Sequence, residues 1–155
     1  MLTPVKQKRM RRQTGSFAII ASRYNARYVD AMLAAAEKAL TKAGVTKIRV
    51  VRVPGAFEIP AVAAKLALAE HPCSAIICLG VILRGQSDHA QQIANAVSLS
   101  LAQLQTQHAL PVIHEVLLLE NEAQAEARCL DKKHNRGAEA AQTALEMARV
   151  MESLK

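Results

Sequence analysis

Four short apolar runs, each followed by a stretch with helical periodicity, constrain this chain of 155 residues more than any other feature. The runs cover residues 17–21, 48–53, 74–83 and 112–118. The first run, and the third from Ala75 on, are continuously apolar rather than alternating, as strands covered on both faces are. Between and after them the spacing predicts helices over 26–43, 56–70, 89–107, 122–130 and 137–151. In the first of these, Val29, Met32, Leu33, Ala36, Leu40 and Ala43 share one face, and Gly44 supplies the stop. Strands alternating with helices imply a parallel sheet with right-handed crossovers, here an α/β three-layer sandwich of four strands between two helical layers. Neither an internal repeat nor a low-complexity linker interrupts the pattern.

The core is aliphatic. Hydrophobic residues make up 51% of the chain, yet it has no Trp, two Phe and two Tyr, so each aromatic residue is informative. The net charge of +7 sits mostly in residues 1–14, where Lys6, Lys8, Arg9, Arg11 and Arg12 stand without an acid. The rest of the chain carries only +2, so the charge is weak evidence for nucleic acid. We read residues 1–14 as a basic, flexible tail and residues 15–155 as one domain. Cys73, Cys78 and Cys129 match no zinc spacing and read as reduced small hydrophobes. The longest apolar run is too short to cross a bilayer, and the N-terminus lacks the apolar core of a signal peptide. The expectation is a cytoplasmic protein.

The chemistry-bearing residues gather at strand ends. Tyr24 follows the first strand, Phe57 and Glu58 the second, and Gly85, Ser87 and His89 the third; His114 and Glu115 fall within the fourth. In an open α/β sheet the crevice beyond the strand carboxyl ends is where ligands bind. A helix N-terminus there suits a phosphate or carboxylate, Gly85 permits close approach, and Asp88 is a candidate cap. His89, in the first turn, suits proton transfer. Gly and Ser at such a turn also serve as plain turn and cap residues, and Phe57 alone reads more readily as core than as a stacking platform. Convergence on one sheet edge is the stronger argument.

Four blocks carry a resemblance: Arg23-Tyr24-Asn25; Val53-Pro54-Gly55-Ala56-Phe57-Glu58-Ile59-Pro60; Gly80 to His89; and Gln124-Ala125-Glu126-Ala127-Arg128 with Asn135-Arg136-Gly137 and Glu146-Met147. Together they resemble the lumazine synthase family, over most of the chain after the tail. The resemblance implies a flavodoxin-like sheet in the order 2-1-3-4. It implies a transferase of riboflavin biosynthesis that condenses 5-amino-6-ribitylaminouracil with 3,4-dihydroxy-2-butanone 4-phosphate and needs no cofactor or metal. The product is 6,7-dimethyl-8-ribityllumazine, with phosphate and water released.

The same resemblance implies roles. Tyr24 stacks on the pyrimidine; Ala56, Phe57 and Glu58 hold the ribityl chain; Val81, Ile82 and Leu83 bind the pyrimidine edge. Gly85, Gln86, Ser87 and Arg128 bind phosphate, and His89 transfers protons. His114 and Arg128 come from the adjacent subunit of a pentamer, which itself occurs alone, as decamers or as 60-subunit icosahedral shells. The connection from Arg128 to Gly137 has the length common in shell-forming members. Riboflavin synthase is a candidate partner; a membrane is not, and nucleic acid is disfavoured. His114, Ala90, Gln86 and the Leu118-Leu119 pair depart from the family pattern. Those at Ala90 and His114 motivate the alternative of a flavin- or lumazine-binding paralogue with little or no catalysis.

Overall fold

In the computed structural model, which describes residues 2–6 and 12–155, four strands form one parallel sheet. They are β1 (Ser16–Ser22), β2 (Lys47–Val53), β3 (Ala75–Leu83) and β4 (Val112–Leu119), ordered β2-β1-β3-β4. Class and order are those expected. Successive side chains on a strand point to opposite faces. Phe17, Ile19, Ile77 and Leu79 therefore pack under α1 (Ala26–Lys42) and α5 (Arg136–Ser153). Ala18, Ile20, Ile76 and Cys78 pack under α2 (Ile59–Ala67) and α3 (His89–His108). The runs of β1 and β3 are continuously apolar because both faces of these two central strands are covered.

Local chemistry fixes the helix ends. At α1, the Gly44 N–H donates to the Thr41 carbonyl and the Val45 N–H to the Leu40 carbonyl, with Gly44 at φ +89°. This is the left-handed closure that glycine favours. Helix α2 stops at Ala67 rather than near Glu70. Leu68 already stands in solvent, so a further turn would bury little apolar surface.

Asn135 organises the other side. Its Oδ1 accepts from the N–H groups of Gly137 and Ala138, and its Nδ2 donates to the carbonyls of Cys129 and Ala31. One buried amide thus caps α5 and ties it to α1 and to the turn before it. Gly137 lets the helices close, since a Cβ there would overlap the Met32 carbonyl. That turn is α4 (Glu122–Ala125) running into a single π-helical turn, Glu126–Leu130, which carries Arg128 and Cys129.

In the N-terminal segment, the Val5 N–H donates to the Lys133 carbonyl and the Gln13 N–H to the Ala43 carbonyl. Lys8, Arg9 and Arg11 of the basic tail lie outside the described residues.

Candidate active site

A cleft of about 760 Å³ opens at the carboxyl ends of β1, β2 and β3. After β1 the chain turns at Asn25, which is left-handed at φ 59° and ψ 42°, a conformation Asn tolerates better than most residues. Its Nδ2 donates to the Val81 carbonyl at 2.7 Å, joining the β1 turn to β3. The N–H groups of Arg23 and Tyr24 donate to the Pro54 carbonyl, joining it to the end of β2. These bonds place Tyr24 at the mouth of the cleft.

Beyond β2, Ala56–Glu58 make one 3-10 turn into α2. The Gly55 N–H donates to the Glu58 Oε2 at 3.0 Å. That bond aims the carboxylate along the wall, with its second oxygen available to a ligand hydroxyl. Tyr24 is 67% exposed and Phe57 61%, although the interior is almost wholly aliphatic. Phe57 is therefore not core, which corrects the reading it invites when taken alone. Val81, Ile82 and Leu83 complete the strand side. His89, Gln92, Ile93 and Ala96, at helical spacing, make the α3 wall.

The loop between Leu83 and His89 stands open to solvent at the start of α3. Gly85, Gln86, Ser87, Asp88 and His89 are exposed. Among the described residues, no protein acceptor takes the N–H of Gly85, Gln86, Ser87 or Asp88. Unpaired donors ahead of a helix start are the kind of group an anion takes. Asp88 makes no capping bond; instead the Ser87 Oγ accepts the His89 N–H at 3.4 Å, leaving its own proton free to donate. Gly85 is not left-handed and has nothing within 4 Å of where a Cβ would sit. The protein's own packing does not demand a glycine there.

Two expected residues are not brought to this cleft. His114 is the third residue of β4, paired in register with Cys78, whereas the cleft residues of β3 pair with Leu117–Leu119. Its Nδ1 accepts the Val116 N–H at 3.1 Å, and its Nε2 lies 2.7 Å from the Ser98 Oγ. An Nδ1 that accepts is unprotonated, so the ring is neutral with its proton on Nε2. Partial burial acts the same way, lowering the His114 pKa below its ordinary value. Arg128 lies on the opposite face of the sheet, on the π turn beside Cys129. Among the described residues it pairs with no carboxylate, and its Nη1 reaches only the Gln124 carbonyl at 3.5 Å.

Sequence reasoning missed Asn25, Gly55, Gln92, Ile93 and Ala96 of the lining. The α3 stripe could have been found by counting three, four and seven residues on from His89. A hollow of about 260 Å³ at the opposite sheet edge, near Lys47, His71 and Cys73, holds none of the expected site residues.

The family model for 6,7-dimethyl-8-ribityllumazine synthase matches residues 14–152. The chain belongs to the 6,7-dimethyl-8-ribityllumazine synthase family. A protein of that name from Stenotrophomonas maltophilia is 41% identical over 144 residues, 92% of each chain. One from Xanthomonas oryzae pv. oryzae is 41% identical over 148 residues, 94% of this chain and 95% of its own. One from Kineococcus radiotolerans is 41% identical over 131 residues, 83% and 80%. The match to the lumazine synthase family spans the whole sheet, the cleft, the anion loop and the Asn135 hub. It begins at the end of the basic tail.

Proposed function

We propose that this cleft is where the chain condenses 5-amino-6-ribitylaminouracil with 3,4-dihydroxy-2-butanone 4-phosphate to form 6,7-dimethyl-8-ribityllumazine. The observation that carries the reading is the meeting of Tyr24, Phe57, Glu58 and His89 in one cleft, beside four N–H groups that meet no acceptor among the described residues. The exposed Tyr24 ring offers a face to the uracil, and Glu58 accepts from ribityl hydroxyls. Backbone groups of Val81, Ile82 and Leu83 match the pyrimidine edge. Gly85, Gln86 and Ser87 hold the phosphate.

The amine attacks the ketone, and loss of water gives an imine. Phosphate then leaves, the enol becomes a ketone, and ring closure expels a second water. His89, at the helix start beside the loop, is placed to move the protons of these steps.

His114 and Arg128 complete the site from an adjacent copy. Among the described residues, Arg128 is a guanidinium without a carboxylate partner, on a face away from its own cleft. The assembly this reading requires is a ring, a pentamer as the resemblance implies, in the cytoplasm, with product passing to riboflavin synthase.

The paralogue alternative loses one of its grounds. Ala90 is a buried residue of α3, in the core cluster that also holds Ile82 and Val97, and it does not line the cleft. Mixing the purified protein with both substrates and following lumazine absorbance tests the reading. Formation no faster than the spontaneous background would overturn it.

A further inference from the structure

Arg84 is the first residue past β3, and nothing in the family reading above gives it a role. Its N–H donates to the Leu119 carbonyl at 2.8 Å, extending the ladder to β4 by one step. Its guanidinium then divides. Nε donates to the Glu120 Oε1 at 2.9 Å, beyond β4, and Nη2 donates to the Gln91 Oε1 at 2.9 Å, in the first turn of α3. Each partner is held in turn. The Gln91 Nε2 donates to the Asn95 Oδ1 at 2.8 Å, and the Glu120 N–H donates to the Gln124 Oε1 at 2.9 Å.

One half-buried guanidinium therefore joins the ends of two strands and the start of a helix. The loop it brackets, 85–88, has little support of its own: its four N–H groups meet no protein acceptor among the described residues, and the Ser87 Oγ and Asp88 carbonyl bond only to the following helix. Its shape depends on the distance between its two anchors, the end of β3 and the start of α3. Arg84 spans that distance.

We infer that Arg84 is a positioning residue for the phosphate site. By holding Glu120 and Gln91 at once it keeps the 85–88 N–H groups convergent on one anion. The inference rests on the proposed assignment of that loop to phosphate. Partly exposed ion pairs add little to stability, so the network is better explained by geometry than by stability. Lysine cannot replace it fully, since an ammonium lacks the planar fork that meets two partners at fixed angles.

A competing explanation is that Arg84 binds phosphate itself, and Glu120 separates the two. Phosphate binding is measured directly, by titrating the full-length assembled protein with inorganic phosphate, alongside KM for each substrate. Arg84→Ala should weaken inorganic phosphate and raise KM for the four-carbon phosphate about tenfold, with the pyrimidine KM within about twofold. Arg84→Lys should fall between. Glu120→Gln should shift phosphate the same way by about threefold, because it loosens the strut while leaving Arg84 in place. A direct ligand predicts the reverse, since freeing Arg84 would leave phosphate binding unchanged or tighter, and that result overturns the inference. So does an equal rise in both KM values.

If Arg84→Ala does not fold, Glu120→Gln and Gln91→Ala at the partner positions decide the matter alone. If the parent protein binds phosphate but forms no lumazine, the proposed reaction fails, while the phosphate titrations still judge Arg84.

Discussion

The ring of Tyr24 lies on the backbone of Gly55, so close that a Cβ at Gly55 would sit 2.8 Å from the ring carbon Cδ2. The absent side chain is what lets one face of the ring rest on the β2 turn while the residue stays largely exposed at the cleft mouth. Gly55→Ala should push the ring off this seat without unfolding the sheet. We expect weaker pyrimidine binding, by about tenfold, and Tyr24→Ala should cost about 1–3 kcal/mol, the usual worth of a base stacked on an aromatic ring. Fluorescence titration with a pyrimidine analogue measures both. Unchanged affinity in Gly55→Ala would show that the contact does not set the platform.

Two histidines compete for the proton-transfer role, and their surroundings differ. His89 is exposed on the cleft wall, whereas His114 is held neutral between the Val116 N–H and Ser98. His89→Ala should slow turnover by about 10- to 1000-fold, the range for a general acid or base. His114→Ala should chiefly alter pyrimidine KM and leave the pH profile of kcat in place. Profiles over pH 5–9 for both variants check this. A normal profile in His89→Ala with a lost one in His114→Ala would reverse the assignment.

How far the sequence revealed this arrangement can be judged residue by residue. The sheet was legible because burial on both faces leaves β1 and β3 continuously apolar. The β1 turn was legible because Tyr24 and Asn25 are unusual residues in an aliphatic chain. The end of α2 was misplaced, because alanine-rich periodicity continues past Ala67 although Leu68 already faces solvent. Asp88 read as the cap because its residue type suits one, but the Ser87 oxygen receives the N–H instead. Gly55 and Asn135 act through tertiary contacts with Tyr24, Ala31 and Cys129, which no local pattern encodes.

If a neighbour completes each cleft, defects should complement. A double variant, Tyr24→Ala with His89→Ala, spoils the cleft but keeps Arg128. Arg128→Ala keeps the cleft and loses a charge-assisted contact worth about 2–3 kcal/mol. Refolding the two together at equal ratio should recover about a quarter of parental activity, since a quarter of the cleft-and-neighbour pairs are then intact. The assay is run below KM for the four-carbon substrate. Activity equal to the mean of the two parent variants would place every site within one chain.

Glu115 gives a prediction about stability. It lies on β4, near Glu139 and Arg136 at the start of α5. Burial first, and repulsion from Glu139 second, raise its pKa from 4.5 to about 7, against a smaller opposing pull from Arg136. Arg136 is already engaged in an ion pair with Glu139. A carboxyl with a raised folded pKa binds its proton more tightly in the folded state, so folding is favoured below the unfolded value. That contribution is lost as pH rises through the folded pKa. Stability should therefore fall between about pH 4.5 and pH 7, by roughly 1–2 kcal/mol once partial exposure is allowed for. Glu115→Gln keeps the shape and removes the titration. Its denaturant midpoint should exceed the parent's at pH 8 and approach it at pH 5. A parent-like difference at both pH values would mean that Glu115 is solvated well enough to ionise without cost.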